Sequence, residues 1–238
     1  YLKEAPYTLI SSPGFSESDI TAAESLKNAC NIFYNLGGAA GWMFMVLETL
    51  DIEPADFLES FSEHADLKEK ESEYSRDAIT KMQLSFVKKK FADHNKSDLY
   101  PVMEDIILIN GALNSSLFAG PYTGKIHTSF SDQTLFKITP GTEFLVLKYN
   151  FDELMTVGEF TLEEFKIQYR PKKTDVIIYN CGGEVKPLIV DNSLSKLLQT
   201  FTGKISLKEI LKNNPSITKD EAYEFIEYAL SETMISII

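Results

Sequence analysis

The last third of the chain, residues 175–238, has the clearest pattern of apolar and polar positions. The run from Val176 to Tyr179 is β-branched and apolar, and a Gly-Gly pair at 182–183 follows it closely, which predicts a strand and a turn. Residues 184–190 predict a second strand, and Pro187 favours an edge position because proline has no N–H for the ladder. The residues from Met234 onward predict a final strand.

Helical spacing fills the sequence between these strands. Apolar residues recur three and four positions apart in the segments that follow Asp191, Ser206 and Thr218. This spacing predicts three helices, and Gly203 is expected to end the first of them. Glutamate follows both Ser206 and Thr218 three residues later, as in a capping box. Two strands, three helices and a strand are in the order that is typical of a winged-helix-like module.

Residues 1–120 predict a mainly helical domain. Residues 7–10 predict a short strand, and Ser16 with Asp19 has the pattern of a capping box at the start of the first helix. Further helices are predicted at about 40–50, from 53 onward, at 68–95 and at 99–118. The helix at 40–50 is apolar on almost every side, so it is either a core helix or one that faces a partner. In the second case Trp42, Phe44 and Met45 are the partner-facing residues.

The pattern changes after a Gly- and Pro-containing loop at 119–124. Residues 135–138 and 143–149 predict strands, whereas residues 160–169 fit neither the helical nor the strand period. We therefore predict an α+β protein: a helical domain at 1–120, a β-rich connector at 121–174 and a winged-helix-like module at 175–238.

Composition and charge narrow the class of partner. The chain is 44% hydrophobic and has 16 Phe and 11 Tyr, so we expect a folded core. Its net charge of −12 argues against nucleic acid, because phosphate binding requires clustered Lys and Arg. The third helix of the terminal module illustrates this acidic character, because it has one basic residue, Lys219, and four acidic residues, Asp220, Glu221, Glu224 and Glu227.

Two cysteines, Cys30 and Cys181, lie far apart and belong to no Cys-x-x-Cys or Cys/His cluster, so the sequence predicts no metal site. Free thiols favour a reducing cytoplasm, although a disulfide between the two is left open. No apolar run approaches the roughly 20 residues of a membrane span. We expect a cytoplasmic protein without a signal peptide and without a membrane partner.

Other residues are weak candidates for chemistry. His64 and His94 have acidic neighbours and either bind a metal or lie on solvated helix faces. His127 follows a glycine-containing loop, but spacing assigns no Ser/His/Asp triad. The glycine-rich stretch at 37–41 either binds phosphate at a helix N-terminus or forms a tight turn between helices. We assign no catalytic residue and no metal ligand.

Four short motifs lie within the first 60 residues. They are Ala5-Pro6-Tyr7-Thr8-Leu9-Ile10, Ser16-Glu17-Ser18-Asp19-Ile20, Ile32-Phe33-Tyr34-Asn35 with Gly37, and Pro54-Ala55-Asp56-Phe57-Leu58. Together they resemble the region downstream of the catalytic barrel in radical S-adenosylmethionine (radical SAM) enzymes of the cobalamin-binding type. That region has a Pro-Pro-Tyr-x-Val-Leu arm, a Leu-Ser-x-x-Asp-Ile helix that ends in Tyr-Tyr-Asn-Ser-Gly, and a Pro-Phe-x-Phe-Phe helix.

The terminal module has two further motifs, Leu197-Leu198-Gln199-Thr200-Phe201-Thr202-Gly203 and Ser206-Leu207-Lys208-Glu209-Ile210. With the flanking strands they resemble the winged-helix chaperone of pyrroloquinoline quinone biosynthesis (PqqD-like), a module found with peptide-modifying enzymes. In that family a leader peptide adds as a strand beside the sheet. The resemblance implies peptide binding by the second strand and the third helix, through Val185, Leu188, Val190, Tyr223 and Ile226.

The reaction centre of such an enzyme is not encoded here. A radical SAM [4Fe–4S] cluster needs a Cys-x3-Cys-x2-Cys loop, and cobalamin binding uses Asp-x-His-x-x-Gly; the chain has neither. It also begins at Tyr1 without Met, so we expect a part of a longer protein. The resemblance then implies a non-catalytic C-terminal accessory region, with the [4Fe–4S] cluster, S-adenosylmethionine and cobalamin in the upstream part.

The expected partners are the upstream catalytic domains of the same protein and a peptide substrate. Two alternatives stay open. One is a stand-alone enzyme with an acid/base site that the sequence does not reveal, which would need convergent polar groups in a pocket. The other is a winged-helix regulator, which would need a basic face.

Overall fold

The computed structural model describes residues 14–65, 74–125 and 129–238 and divides into two compact units. The first unit contains residues 14–107 together with Thr161–Glu163, and the second contains Leu108–Phe160 and Glu164–Ile238. The strand predicted at 7–10 and the first residues of the helix predicted at 68–95 lie outside the described residues. So does His127.

The first unit is helical, as the apolar periodicity predicts. Helix α1 (Glu17–Cys30) continues as a π-helical turn, and α2 (Met43–Leu50), α3 (Pro54–Ala65) and α4 (Arg76–Asp93) follow, with α5 (Tyr100–Ala119) beginning in this unit. The capping box predicted for α1 is present, because the Asp19 amide donates to Ser16 Oγ and the Ser16 amide donates to Asp19 Oδ2.

Phe33 lies at the centre of the aromatic core of this unit. Its ring centroid is 4.8 Å from that of Phe61 and 5.3 Å from those of Trp42 and Phe57, with mostly edge-to-face geometry. Phe86 completes the cluster at 6.0 Å. All five side chains are almost fully buried, so the core of this unit is built mainly from aromatic rings.

The second unit contains the strands and the remaining helices. They are β1 (Leu135–Ile138), β2 (Glu143–Leu147), α6 (Phe151–Leu154), α7 (Leu162–Gln168), β3 (Thr174–Cys181), β4 (Glu184–Val190), α8 (Asn192–Gln199), β5 (Thr202–Ser206), α9 (Leu207–Asn213), α10 (Lys219–Ser231) and β6 (Ile235–Ile237). The ambiguous stretch at 160–169 is thus helical. The α+β class predicted from the sequence is confirmed.

Two three-stranded antiparallel sheets organise this unit. One has the order β2-β3-β4, and the other has the order β5-β1-β6. In the second sheet Phe136 lies opposite Ile237, and Leu135 lies opposite Ser206. Strand pairing therefore joins residues 135–147 to residues 174–237. Strand β5 was not predicted from the sequence, and it separates the first two helices of the terminal segment.

An apolar cluster is shared by α8, α9, α10 and several of the strands. Its fully buried members include Phe136, Leu197, Leu207 and Ile226. The capping box of α10 is present, with Thr218 Oγ1 accepting from the Glu221 amide. The capping box predicted at Ser206 does not form, because its side chain makes no cap hydrogen bond. The first amides of α9 donate instead to backbone carbonyls at 132 and 134.

Candidate functional site

Strand β4 forms one edge of the sheet β2-β3-β4. It pairs with β3 over its whole length, from Glu184 opposite Cys181 to Val190 opposite Asp175, without a bulge. In the part of the chain that the structure describes, no strand pairs with its other side. The edge position that Pro187 favours is therefore confirmed.

The register also shows which backbone groups of β4 point outward. In an antiparallel ladder alternate residues direct their N–H and C=O groups toward the partner strand and away from it. Pro187 has no N–H, and the Gly182-Gly183 hairpin is closed by the pair Cys181 and Glu184. Both features place residues 184, 186, 188 and 190 in the ladder with β3. Val185, Pro187 and Ile189 then direct their backbone groups away from the sheet.

The side chains of β4 alternate between two faces of the sheet. Leu188 and Val190 pack against the buried apolar cluster and are partly buried. Val185, Pro187 and Ile189 lie on the opposite face, where Ile189 is 45% exposed. The edge therefore has apolar side chains on both faces, with the charged residues Glu184 and Lys186 on the same face as Leu188 and Val190.

A polar network holds the C-terminal end of α10 against the hairpin of β3 and β4. The Tyr179 hydroxyl donates to Glu232 Oε2 at 3.0 Å, and Lys186 Nζ donates to the same oxygen at 3.1 Å. The Tyr228 hydroxyl lies 3.4 Å from that of Tyr179. Tyr179 and Lys186 face each other across the hairpin, so one carboxylate ties two strands to one helix.

The protonation states in this network follow from its geometry. The hydrogen bond from Lys186 lowers the pKa of Glu232 below its usual range, and the same contact raises the pKa of Lys186. Burial, with the hydrogen bonds to Tyr228 and Glu232, raises the pKa of the Tyr179 hydroxyl. At neutral pH the network thus contains an ionised carboxylate, an ammonium group and a neutral phenol.

The pKa shift of Glu232 predicts a pH-dependent contribution to stability. Because the folded-state pKa is lowered, the stabilisation is present above the unfolded-state pKa of about 4.3 and is lost as pH falls through the folded-state pKa. We expect Glu232→Gln to lower the free energy of unfolding by on the order of 1 kcal/mol at pH 7. The difference between the two proteins should persist down to about pH 5 and shrink below about pH 4.

Urea denaturation of both proteins between pH 3 and pH 7 measures that difference. Other carboxylates titrate in the same range, and subtracting the curve of the variant from that of the unaltered chain removes their contribution. A difference that stays constant down to pH 3 would contradict the assignment.

The structure separates the five residues proposed for peptide binding. Val185, Leu188 and Val190 lie on the edge strand, with Val185 on the opposite face from the other two. Ile226 is completely buried in the apolar cluster. The ring of Tyr223 on α10 packs against Phe130, and its hydroxyl donates to Asp132 Oδ1.

Tyr228 of α10 and Glu232, which directly follows the helix, make polar contacts with the hairpin, and the sequence did not single them out. Their partners Tyr179 and Lys186 were also missed. The sequence did contain a signal for these two partners, because a hairpin with its turn at Gly182-Gly183 places Tyr179 opposite Lys186.

The three residues proposed to face a partner also occupy different environments. Trp42 is 1% exposed and lies in the aromatic core of the first unit, in contact with Phe33. Phe44 is 55% exposed, and Met45 is partly buried. Of the three, Phe44 is the side chain that presents an apolar surface to solvent.

The remaining candidates are engaged in local structure. His64 Nε2 lies 3.0 Å from Ser85 Oγ, and His94 Nδ1 lies 2.8 Å from the Lys90 carbonyl. Residues 37–41 form a turn whose Gly37 carbonyl accepts from Gln83 Nε2 of α4. Both cysteines are free. Among the described residues, no group of three His, Cys, Asp or Glu side chains is placed to hold a metal ion.

Of the helices in the described ranges, none combines the length and the apolar character that crossing a bilayer requires. In comparisons with known proteins, no family model matches the chain and no curated protein matches it.

Proposed function

We propose that this chain is the non-catalytic C-terminal region of a cytoplasmic radical SAM enzyme of the cobalamin-binding type. Its first unit would pack on the catalytic barrel, and its second unit would bind a peptide or protein partner as an added strand on β4. The observation that carries the binding part is the outer edge of β4, which no strand of the described residues pairs with and which has apolar side chains on both faces.

The composition of β4 supports strand addition. Natural edge strands are usually protected by charged residues, bulges or coverage, because a row of unpaired N–H and C=O groups invites pairing. Five of the seven residues of β4 are apolar and no bulge interrupts it, so its protection is limited to Pro187 and the charged residues Glu184 and Lys186. An added strand would gain main-chain hydrogen bonds from Val185 and Ile189 and cover their side chains.

The network around Glu232 supports the same function. It fixes the position of α10 against the hairpin before any partner arrives, so binding requires little reordering of the protein. Binding sites that are already ordered lose less conformational entropy on association. The hairpin end of β4 is thus held in a fixed position against the C-terminal end of α10.

The cofactors of the proposed parent enzyme do not fit this chain. A [4Fe–4S] cluster of the radical SAM type requires three cysteine ligands, whereas the sequence has two cysteines. We therefore place the cluster, S-adenosylmethionine and cobalamin in the upstream part and derive no chemical step from the residues present. The exposed Phe44 is our candidate contact with the barrel.

The strand-addition proposal is tested by selection. A display library of random 14-residue peptides is screened for binding to the 238-residue chain. A peptide enriched by this screen is then titrated into the ¹⁵N-labelled chain. We expect chemical shift changes along β4 and on the Tyr228 flank of α10, with slower exchange of the Val185 and Ile189 amides. Changes confined to other elements, or no enriched peptide, would contradict the proposal.

Two substitutions at one position distinguish main-chain pairing from side-chain contact. Ile189→Pro removes an outward N–H and leaves the ladder with β3 intact, because position 189 has the same orientation as Pro187. Ile189→Ala removes the side chain and keeps the N–H. We expect the proline variant to weaken binding of the selected peptide at least about fivefold and the alanine variant by less, since one lost main-chain hydrogen bond to a desolvated partner is worth about 1–3 kcal/mol. Equal weakening by both would exclude strand pairing at this position.

The enzyme part of the proposal has a separate test. The coding sequence upstream of residue 1 is expected to contain the Cys-x3-Cys-x2-Cys triplet and the Asp-x-His-x-x-Gly motif. An upstream reading frame that lacks both would exclude this parent enzyme and leave the strand-addition proposal untouched.

A further inference from the structure

We propose that Pro187 determines which strands pair with the outer edge of β4. It excludes a second copy of β4 and leaves the edge open to a strand of another polypeptide that lacks proline and is apolar at alternate positions. This inference rests on the proposed strand addition and specifies the class of partner. We call the outward backbone groups of residues 185, 187 and 189 the β4 edge.

The side chains of β4 favour pairing with a second copy of the strand. Two antiparallel copies centred on Pro187 overlap over the whole length of the strand. In that register each charged residue lies opposite an apolar one: Glu184 opposite Val190, and Lys186 opposite Leu188. Val185 and Ile189 lie opposite each other, on a face where they meet apolar side chains. Side-chain charge therefore does not prevent self-pairing.

The backbone of β4, in contrast, opposes self-pairing. In the centred register the two Pro187 residues lie opposite each other, and this middle pair lacks both of its N–H donors. Each proline ring also occupies the space next to the opposite carbonyl where a donor hydrogen would lie. After a shift of register by two residues in either direction, each copy still loses a hydrogen bond at Pro187, and fewer residues overlap.

A foreign strand without proline pairs with the β4 edge at a smaller loss. Its residue opposite Pro187 donates its own N–H to the Pro187 carbonyl, so one main-chain hydrogen bond is missing, compared with two for self-pairing. Its alternate side chains lie beside Val185, Pro187 and Ile189, and the last two of these are exposed. Apolar side chains fit there because they cover this surface. The preferred partner is therefore a proline-free strand that is apolar at every second position.

Restoring the missing N–H tests the inference. Pro187→Val keeps the β4 edge apolar and leaves the ladder with β3 intact, because the N–H at position 187 points away from β3. Sedimentation equilibrium of the whole chain, from low to high micromolar concentration, measures self-association. We expect the unaltered chain to be monomeric and the variant to dimerise, with a self-association constant raised at least about thirtyfold by the two restored donors. In the ¹⁵N-labelled variant the amide at position 187 should exchange slowly. A monomeric variant would overturn the inference.

Two further variants identify what drives the dimer. Pro187→Thr restores the same N–H with a side chain of similar shape and greater polarity, so it should dimerise as well. Dimerisation of the valine variant alone would mean that added apolar surface, and not main-chain pairing, drives association, and would overturn the inference. The double variant Pro187→Val with Ile189→Pro moves the proline to another outward position and removes two donors again, so we expect a monomer. A dimeric double variant would show that lost donors do not prevent association, which also overturns the inference.

The peptides enriched in the screen separate this inference from the function on which it rests. We expect them to lack proline in the residues that pair with positions 185–189 and to be apolar at alternate positions. If an enriched peptide shifts the β4 amides but the valine variant is monomeric, strand addition stands and the role of Pro187 is excluded. If the valine and threonine variants dimerise but no peptide binds to β4, the proposed function fails and with it the class of partner inferred here.

Discussion

Substituting Phe33 with alanine is expected to lower the free energy of unfolding of the first unit by about 3–5 kcal/mol. Its ring contacts four other aromatic rings in the core, so the substitution removes buried apolar surface and leaves a cavity between helices. The measurement is urea denaturation followed by the fluorescence of Trp42. Trp42 is the single tryptophan of the sequence and lies in contact with Phe33.

Phe33→Leu is the control for this experiment. Leucine fills much of the volume without providing a ring, so we expect a clearly smaller loss of stability and a smaller change in Trp42 emission. A loss below about 1 kcal/mol for the alanine variant would contradict the central position of Phe33, because even modest core truncations usually exceed that value.

Substituting Ile226 with alanine is expected to destabilise the second unit by about 2–5 kcal/mol. The side chain is completely buried in the apolar cluster that α8, α9 and α10 share with the strands. Urea denaturation followed by far-ultraviolet circular dichroism measures the loss. Glu227→Ala, at the exposed neighbouring position, should change the free energy of unfolding by no more than about 0.5 kcal/mol.

The same variant separates a core role from a binding role for Ile226. If Ile226 acts only through the core, the folded fraction of Ile226→Ala binds a selected peptide as tightly as the unaltered chain. Weaker binding by the folded fraction of the variant would show that Ile226 contacts the peptide. That result would support the role in peptide binding that the family resemblance implied for Ile226.

Features that depend on neighbouring residues were predicted well from the sequence. The capping boxes at Ser16 and Thr218 form because each needs only a hydroxyl and a carboxylate three residues apart. Pro187 identified an edge strand because the missing N–H is a property of the residue itself. The third capping box, at Ser206, did not form, and the first two amides of α9 donate to the distant carbonyls of Asp132 and Thr134, which a local pattern does not reveal.

Features that depend on distant parts of the chain were missed. Strand β5 has little apolar character of its own and is defined by pairing with β1, which precedes it by more than 60 residues. The network around Glu232 could not be predicted for the same reason. Glu232 follows α10 in an acidic stretch, and nothing local distinguishes it from the exposed glutamates before it. The sequence thus located the edge strand of the site, whereas the contacts on α10 required the tertiary structure.

The position of β1 between β5 and β6 has a consequence for how the protein is made. When the ribosome has synthesised Ile138, the partner residue Ile235 is still about a hundred codons away. At about 5–20 residues per second, translation leaves β1 without this neighbour for about 5–20 s. During that interval Phe136, which the finished sheet buries completely, is available to chaperones and to other nascent chains. Phe136 therefore stays exposed on the growing chain until the last strand of its sheet has been synthesised.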